Sequence, residues 1–272
     1  MFRIVASDLD GTLLNANHQF SSYTKQILQS LKKQDVHFVF ATGRHHVDVA
    51  QMRENMAIDA FMITSNGARV HDHQGKLIFS QNLDPDIAKS IAQIVKDDPL
   101  IYTHLYQGDH WLINKEDPYS LTFYDEAFRY QLFEPTNFDP NNIAKIYFTT
   151  NSEHLHDHLV ALKNTLQLRY GSSINVAFST LNCLEVMGNN VSKGNALQHV
   201  ATTLGYTLQD SIAFGDGMND LDMLLMAGRG CIMQNASEEL KKQLPNLEVI
   251  GSNLDEAVPH YLNQLFFNHK PS

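Results

Sequence analysis

Three apolar runs of strand length, "FRIVAS", "VHFVFA" and "AFMITS", lie between residues 2 and 65, and both gaps between them carry helical periodicity. The gap segments are "SSYTKQILQSLKKQ", with Ser21 or Ser22 as N-cap, and "HHVDVAQMRENM". Strand and helix alternating in this way close most simply into a parallel sheet with helices on both faces. The pattern returns from Ser192: helix "SKGNALQHVATTLG" closed by Gly205, strand "SIAFG", helix "MNDLDMLLMAG", short strand "GCIM" and a last helix "NLDEAVPHYLNQLFF".

The middle of the chain reads differently. "ARVHDHQGKLIFSQ" predicts a hairpin turning at His73-Gln74-Gly75, and "DPDIAKSIAQIVKDD" a helix. Then come strand pieces in "LIYTHLYQGDHWLIN", "AKIYFTT", "INVAFS" and "CLEVM", with a helix "SEHLHDHLVALKNTLQ" before the last two. Strands joined through turns suggest an α+β unit rather than more parallel sheet. The expected fold is therefore α/β: a Rossmann-like doubly wound parallel-sheet core at 1–82 and 187–272, interrupted by an inserted α+β domain at 83–186.

The 272 residues suffice for two domains, and 43% hydrophobic with 18% charged residues is ordinary for a folded soluble chain. No apolar run is long enough to predict a transmembrane helix, and the N-terminal run serves better as a strand than as a leader. Cys183 and Cys231 have neither disulfide nor metal spacing. These features predict a cytoplasmic monomer with no membrane partner. A net charge of -10 without a basic stripe argues against nucleic-acid binding. The same field would repel an anionic substrate, so a phosphate site would need its own cations.

Ligands of open parallel sheets bind at the carboxyl ends of the strands. Four segments expected there have unusual composition: "SDLDGT", "ATGR", "SNGA" and "GDGMND". Asp8 and Asp10, two apart on extended backbone, would project to the same side, and Gly11 lets the chain turn sharply after them. Close carboxylates repel, so they share a proton or bind a cation. Asp216, Asn219 and Asp220 of "GDGMND" favour the cation, and an all-oxygen site suits Mg²⁺. Thr42 and Gly43 offer a hydroxyl and backbone N–H groups at a helix start, a ready anion site. Lys193 falls in the first turn of a helix capped by Ser192, where the dipole disfavours a cation unless a bound phosphate relieves it. Carboxylate nucleophile, magnesium, phosphate cradle and lysine together point to phosphoryl transfer.

"DLDGTLL", "ATGR", "SKG" and "GDGMND", in this order, resemble the four motifs of the haloacid dehalogenase-like phosphatases, with no departure at any motif position. The insertion resembles the type IIB cap of the Cof-type subfamily, and the chain as a whole looks like its bacterial pyridoxal phosphate and sugar phosphatases. The resemblance implies that Asp8 attacks phosphorus and that Asp10 protonates the leaving alcohol and then deprotonates water, its side chain kept free for that purpose. It implies Mg²⁺ on the Asp8 carboxylate, the Asp10 main-chain carbonyl and Asp216, with Asp220 orienting from behind. Thr42, Gly43, Lys193, Asn219 and the Leu9 backbone N–H would hold the phosphoryl group of a small phosphorylated metabolite. Arg44 and the Asn66-Gly67 loop are candidate specificity positions beside unspecified cap residues.

Two other readings follow from the same residues: a phosphomutase, and a signalling module phosphorylated on aspartate. An acid/base at Asp10 and a large cap argue against the second. Other features read as ordinary structure. His45-His46 is expected at a helix start near the cleft, His71-Asp72-His73 at a hairpin turn, and His154, His156 and His158 on an exposed helix. "GDGMND" fails the EF-hand spacing, no G-x-G-x-x-G supports a dinucleotide, and the methionines of "MNDLDMLLMAG" read as core. Cys183 is expected in a strand and not as a nucleophile.

Overall fold

The computed structural model describes residues 2–117 and 128–268. Its strands are β1 (Ile4–Ser7), β2 (His37–Ala41), β3 (Ala60–Thr64), β4 (Arg69–His71), β5 (Leu77–Ser80), β6 (Tyr102–Gln107), β7 (His110–Ile113), β8 (Gln131–Leu132), β9 (Ile143–Thr149), β10 (Ile174–Thr180), β11 (Cys183–Gly188), β12 (Ser211–Gly215), β13 (Arg229–Ile232) and β14 (Glu248–Val249). The α-helices are α1 (Ser22–Lys32), α2 (His46–Met56), α3 (Pro85–Gln93), α4 (His156–Tyr170), α5 (Lys193–Thr203), α6 (Leu221–Met226), α7 (Glu238–Gln243) and α8 (Ala257–Phe266).

The larger sheet has the order β14-β13-β12-β1-β2-β3-β4-β5, parallel from β14 through β3, with β4 and β5 antiparallel at one edge. Strand β1 is buried along its whole length because it lies between β2 and β12. The strand order reverses there, with β2 on one side and β12 on the other, the kind of switch point where such sheets open a crevice. Register then does the positioning. Ser7 pairs with Phe40 and Phe214, so Asp8, Thr42 and Asp216 emerge at the same end of three neighbouring strands. Helix α1 packs beside α8 and α5 beside α6.

The smaller sheet, order β10-β11-β9-β6-β7-β8, is drawn wholly from the stretch between Tyr102 and Gly188 and is antiparallel except at β7–β8. Side-chain alternation gives it two unlike faces. Leu105, Ile146, Phe148, Leu184 and Val186 pack under α3 and α4 against Ile91, Leu159, Leu162 and Leu166. The residues between them, including Tyr106, Tyr147 and Met187, form a separate cluster with Trp111 on the other face. This sheet and its helices form the cap, and the second face looks onto the core.

The expected strands and helices are present, with ends shifted by a few residues; α4 starts later than expected and runs on to Tyr170. The Asp84-capped helix stops at Gln93, and the "MNDLDMLLMAG" helix is reduced to Leu221–Met226 after one tight turn at Met218–Asp220. Helix α7 and the two-residue edge strands β8 and β14 were not anticipated, being too short to produce a period. No helix among the described residues is long and apolar enough to cross a membrane.

The core-facing side of the cap sheet buries a histidine. His104 stacks on Tyr147 with ring centroids 4.2 Å apart, and its Nδ1 accepts the Trp111 indole N–H at 3.1 Å. Burial, reinforced by the charge of Lys145, pushes its pKa down from 6.5 to about 3. The folded state thus binds a proton at His104 less readily than the unfolded chain. Its contribution is fully present above pH 6.5 and is lost progressively as pH falls toward 3. His104→Gln should therefore flatten the fall of the thermal midpoint with acidification relative to the parent; parallel curves over that window would refute the assignment.

Candidate active site

After β1 the chain stays extended through Asp8 (φ -60°, ψ 161°) and then makes one wide turn over Leu9–Leu13, with Gly11 at φ 78°. A Cβ on Gly11 would stand 2.4 Å from Asp216 Oδ2, so only glycine lets this turn lie against the "GDGMND" loop. Two bonds pin the turn across the sheet: Thr12 donates its hydroxyl to Asp216 Oδ1 at 2.6 Å, and Asn235 donates to the Gly11 carbonyl at 2.7 Å.

Lys193 is fully buried at the start of α5, behind its Ser192 cap. Its ammonium donates to Asp8 Oδ1 and to Asp220 Oδ1, both at 2.6 Å. Two carboxylates thus offset the conflict with the helix dipole that the sequence points to. Burial alone would lower the pKa of Lys193, but Asp220 and Asp8 hold it above the usual lysine value. Asp220 is anchored further, because its Oδ2 accepts the backbone N–H groups of Asp216 and Gly217, each at 2.9 Å.

One oxygen each of Asp8, Asp216 and Asp220 lie within 4.8 Å of one another. Burial drives the Asp8 pKa well up despite Lys193, and Asp220, Asp216 and Asp10 add to the rise. Burial and the nearby Asp220 raise Asp216 to about 7. One ammonium against three crowded carboxylates leaves a deficit of positive charge, and hard oxygen donors in that setting fit a divalent cation such as Mg²⁺.

Asp10 sits differently from its expected role. Arg44 grips its carboxylate in a two-pronged pair, Nε to Oδ2 and Nη2 to Oδ1, both at 2.7 Å, and His18 Nδ1 reaches Oδ1 at 3.0 Å. Burial works to raise its pKa, but the bonds from Arg44 and His18 outweigh it and hold the carboxyl well below the usual range. The side chain expected to be free is therefore engaged. Arg44, expected as a specificity position, is taken up by Asp10 and by Asp48, to which Nη1 donates at 2.9 Å.

Thr42 Oγ1 accepts the Arg44 backbone N–H at 3.1 Å, which leaves the hydroxyl proton for another acceptor. Thr42, Gly43 and Asn219 line a cleft of about 490 Å³ together with Asp8, Asp10 and Asp216. Lys193 lies beneath that cleft and, like Leu9, is fully buried. Asn66 and Gly67 stand apart from its wall. Gly67 (φ 105°) packs so tightly on α5 that a Cβ would come within 2.2 Å of the Ser192 carbonyl oxygen. Asn66 accepts from Asn219 Nδ2 at 3.1 Å and donates to Glu185 Oε2 at 2.6 Å.

The opposite wall belongs to the cap and includes Tyr106, Lys145, Tyr147, Cys183 and Glu185. Lys145 and Glu185, only 2% and 3% exposed, form an ion pair at 2.5 Å. Neither was anticipated, although a signal existed: "AKIYF" and "CLEVM" each carry one charge inside an apolar strand, where an unpaired charge is too costly to bury. Cys183 begins β11 as expected, and burial pushes its thiol up to about 12, a value unsuited to a nucleophile. His45 caps α2 through Nδ1, which accepts the Val47 N–H, so Nε2 carries the proton and donates to the Gly108 carbonyl at 3.0 Å.

Lys193→Met would leave Asp8 and Asp220 buried without their counter-ion. Urea denaturation of the metal-free protein should show a loss of about 3 kcal/mol or more, and a change below about 1 kcal/mol would contradict this account.

Comparison with known proteins identifies the family. A family model described as haloacid dehalogenase-like hydrolase matches residues 5–262. The HMP-PP phosphatase of Cronobacter sakazakii is 40% identical over 263 residues, 96% of this chain and 95% of the relative. A haloacid dehalogenase-like hydrolase from B. subtilis superposes with a TM-score of 0.84 at 24% identity, covering 97% of this chain and all of that one (100%). A subclass IIB sugar phosphatase of the same superfamily gives 0.81 at 16% identity over 97% and 98% of the two chains. Those two structures speak for the fold alone. The chain belongs to the haloacid dehalogenase-like hydrolases.

Proposed function

We propose that this enzyme is a cytoplasmic, monomeric, Mg²⁺-dependent phosphatase that hydrolyses small phosphomonoesters through an aspartyl phosphate on Asp8. The enzyme class, phosphoric monoester hydrolase, is supported by the family together with relatives named phosphatases. The observation that supports the metal-dependent chemistry is the set of buried Asp8, half-buried Asp216 and buried Asp220 around Lys193, sharing one cleft with Thr42, Gly43 and Asn219.

An Asp8 oxygen attacks phosphorus in line; the P–O bond to the leaving group breaks as the Asp8 O–P bond forms, and Asp10 gives the alcohol its proton. Water then attacks phosphorus, yields a proton to Asp10 and displaces Asp8, releasing inorganic phosphate. In the structure Arg44 keeps Asp10 ionised, so proton donation requires Arg44 to loosen its grip, and Asp48 is placed to retain the guanidinium. The Thr42 hydroxyl, the Gly43 loop, Asn219, Lys193 and the Leu9 N–H hold the phosphoryl oxygens. Asp8, Asp216 and the Asp10 carbonyl would hold Mg²⁺. Both Asp220 oxygens already have partners, which favours an orienting role for it. The cation, when bound, neutralises charge where an anionic nucleophile meets an anionic ester.

The cap forms one wall of the cleft, which favours small metabolites over protein substrates. Pyridoxal phosphate and sugar phosphates suit its size. HMP-PP joins them because a relative 40% identical is named for it.

A metabolite panel containing these compounds, run with and without EDTA, tests the reading. Release of inorganic phosphate that EDTA abolishes is expected, with Asp8→Asn slower by about 10³-fold or more in a folded protein. Substantial turnover by Asp8→Asn would overturn the nucleophile assignment. Silence across the whole panel would favour a non-enzymatic role.

A further inference from the structure

Lys145 and Glu185 belong to the cap, yet half of their polar partners belong to the core. The Lys145 ammonium donates to Glu185 Oε1 at 2.5 Å and to the Gly43 carbonyl at 2.6 Å, and it lies 4.7 and 4.8 Å from the ring centroids of Tyr106 and Tyr147. Glu185 Oε2 accepts from Asn66 Nδ2 at 2.6 Å. Two arms therefore leave one buried ion pair. The first runs from Lys145 to the Gly43 carbonyl; because the peptide is trans, the Arg44 N–H points the other way, onto Thr42 Oγ1 at 3.1 Å. The second runs from Glu185 through Asn66 to Asn219 Nδ2.

Both arms end on groups assigned to the phosphoryl oxygens. The first occupies a lone pair of Thr42 and so turns its hydroxyl proton outward. The second fixes the rotamer of the Asn219 amide. Packing is tight around the pair: a Cβ on Gly43 would lie 3.0 Å from Asn66 Oδ1 and 3.3 Å from Glu185 Oε1. We infer that Lys145 and Glu185 are positioning residues that set the phosphate cradle only when the cap is seated, linking closure over a substrate to assembly of the site that holds its phosphate.

The proposal rests on the phosphatase reading and makes a distinct demand. A pair that recognised the leaving group would, when altered, affect esters unequally. A pair that sets the cradle affects all esters alike and also weakens inorganic phosphate, which has no leaving group.

The test uses the whole protein with Mg²⁺: calorimetric titration with inorganic phosphate, and turnover of phenyl phosphate and a sugar phosphate. Lys145→Met and Glu185→Gln should each weaken phosphate binding about tenfold and reduce kcat on both esters by a common factor, as loss of a charged hydrogen bond predicts. Asp109→Ala is the control. It removes the exposed contact between Asp109 and His46 Nε2 at 2.9 Å, which joins cap and core without reaching the cradle, and it should leave phosphate affinity unchanged.

Variants that bind phosphate like the parent and lose only KM for one ester overturn the proposal, as does equal loss in Asp109→Ala. Should Lys145→Met fail to fold, the near-isosteric Glu185→Gln decides alone. A parent protein that neither binds phosphate nor hydrolyses either ester overturns the phosphatase reading and this coupling with it.

Discussion

The ammonium of Lys193, closed in between the carboxylates of Asp8 and Asp220, is the interaction on which the rest of the site depends. Each of these charges would be costly to bury alone, and each is tolerable because the others are there. The pair of bonds ties the end of β1 to the start of α5 and to the loop after β12, three segments far apart in the chain. Asp220 extends the tie by capping the backbone of its own loop, and Asp216 is held from the other side by Thr12. Even so, the cluster remains short of positive charge, and that shortage is what a divalent cation would answer.

The sheet makes this arrangement possible by bringing unlike loops to one edge. With β1 in the centre and parallel neighbours on both sides, the loops after β1, β2 and β12 leave the same edge and line one crevice. The cap solves a different problem with the period of two. One face of its sheet is spent on α3 and α4, and the other is left to face the core, where a purely apolar surface would make an indifferent wall for polar substrates. Lys145 and Glu185 interrupt that wall with a matched pair of charges. Being paired, they can be buried, and their remaining hydrogen-bonding capacity is directed at the core loops.

Much of this was legible in residue order. The alternation of strand and helix, the hairpin turning at His73-Gln74-Gly75 and the four motif segments all come from local rules, and local rules survive folding. Elements without a period left no trace, among them α7 and the two-residue strands. Asp10 illustrates a deeper limit. Its position was evident, but the grip of Arg44 depends on two loops meeting across the sheet, and no spacing in the chain encodes it. Gly67 is legible as part of a candidate specificity loop, whereas in the fold its lack of a Cβ lets that loop approach the Ser192 carbonyl.

The sequence by itself thus determined the architecture and marked out the candidate site residues, because apolar periodicity and the burial cost of a charge act at each residue wherever it ends up. The tertiary structure alone decided the partners: Lys193 with two aspartates, Arg44 with Asp10, and Lys145 and Glu185 with Gly43 and Asn66. Electrostatic and hydrogen-bond energies fall off within a few ångströms, so which groups they join is settled only when the fold sets distances between residues remote in the chain.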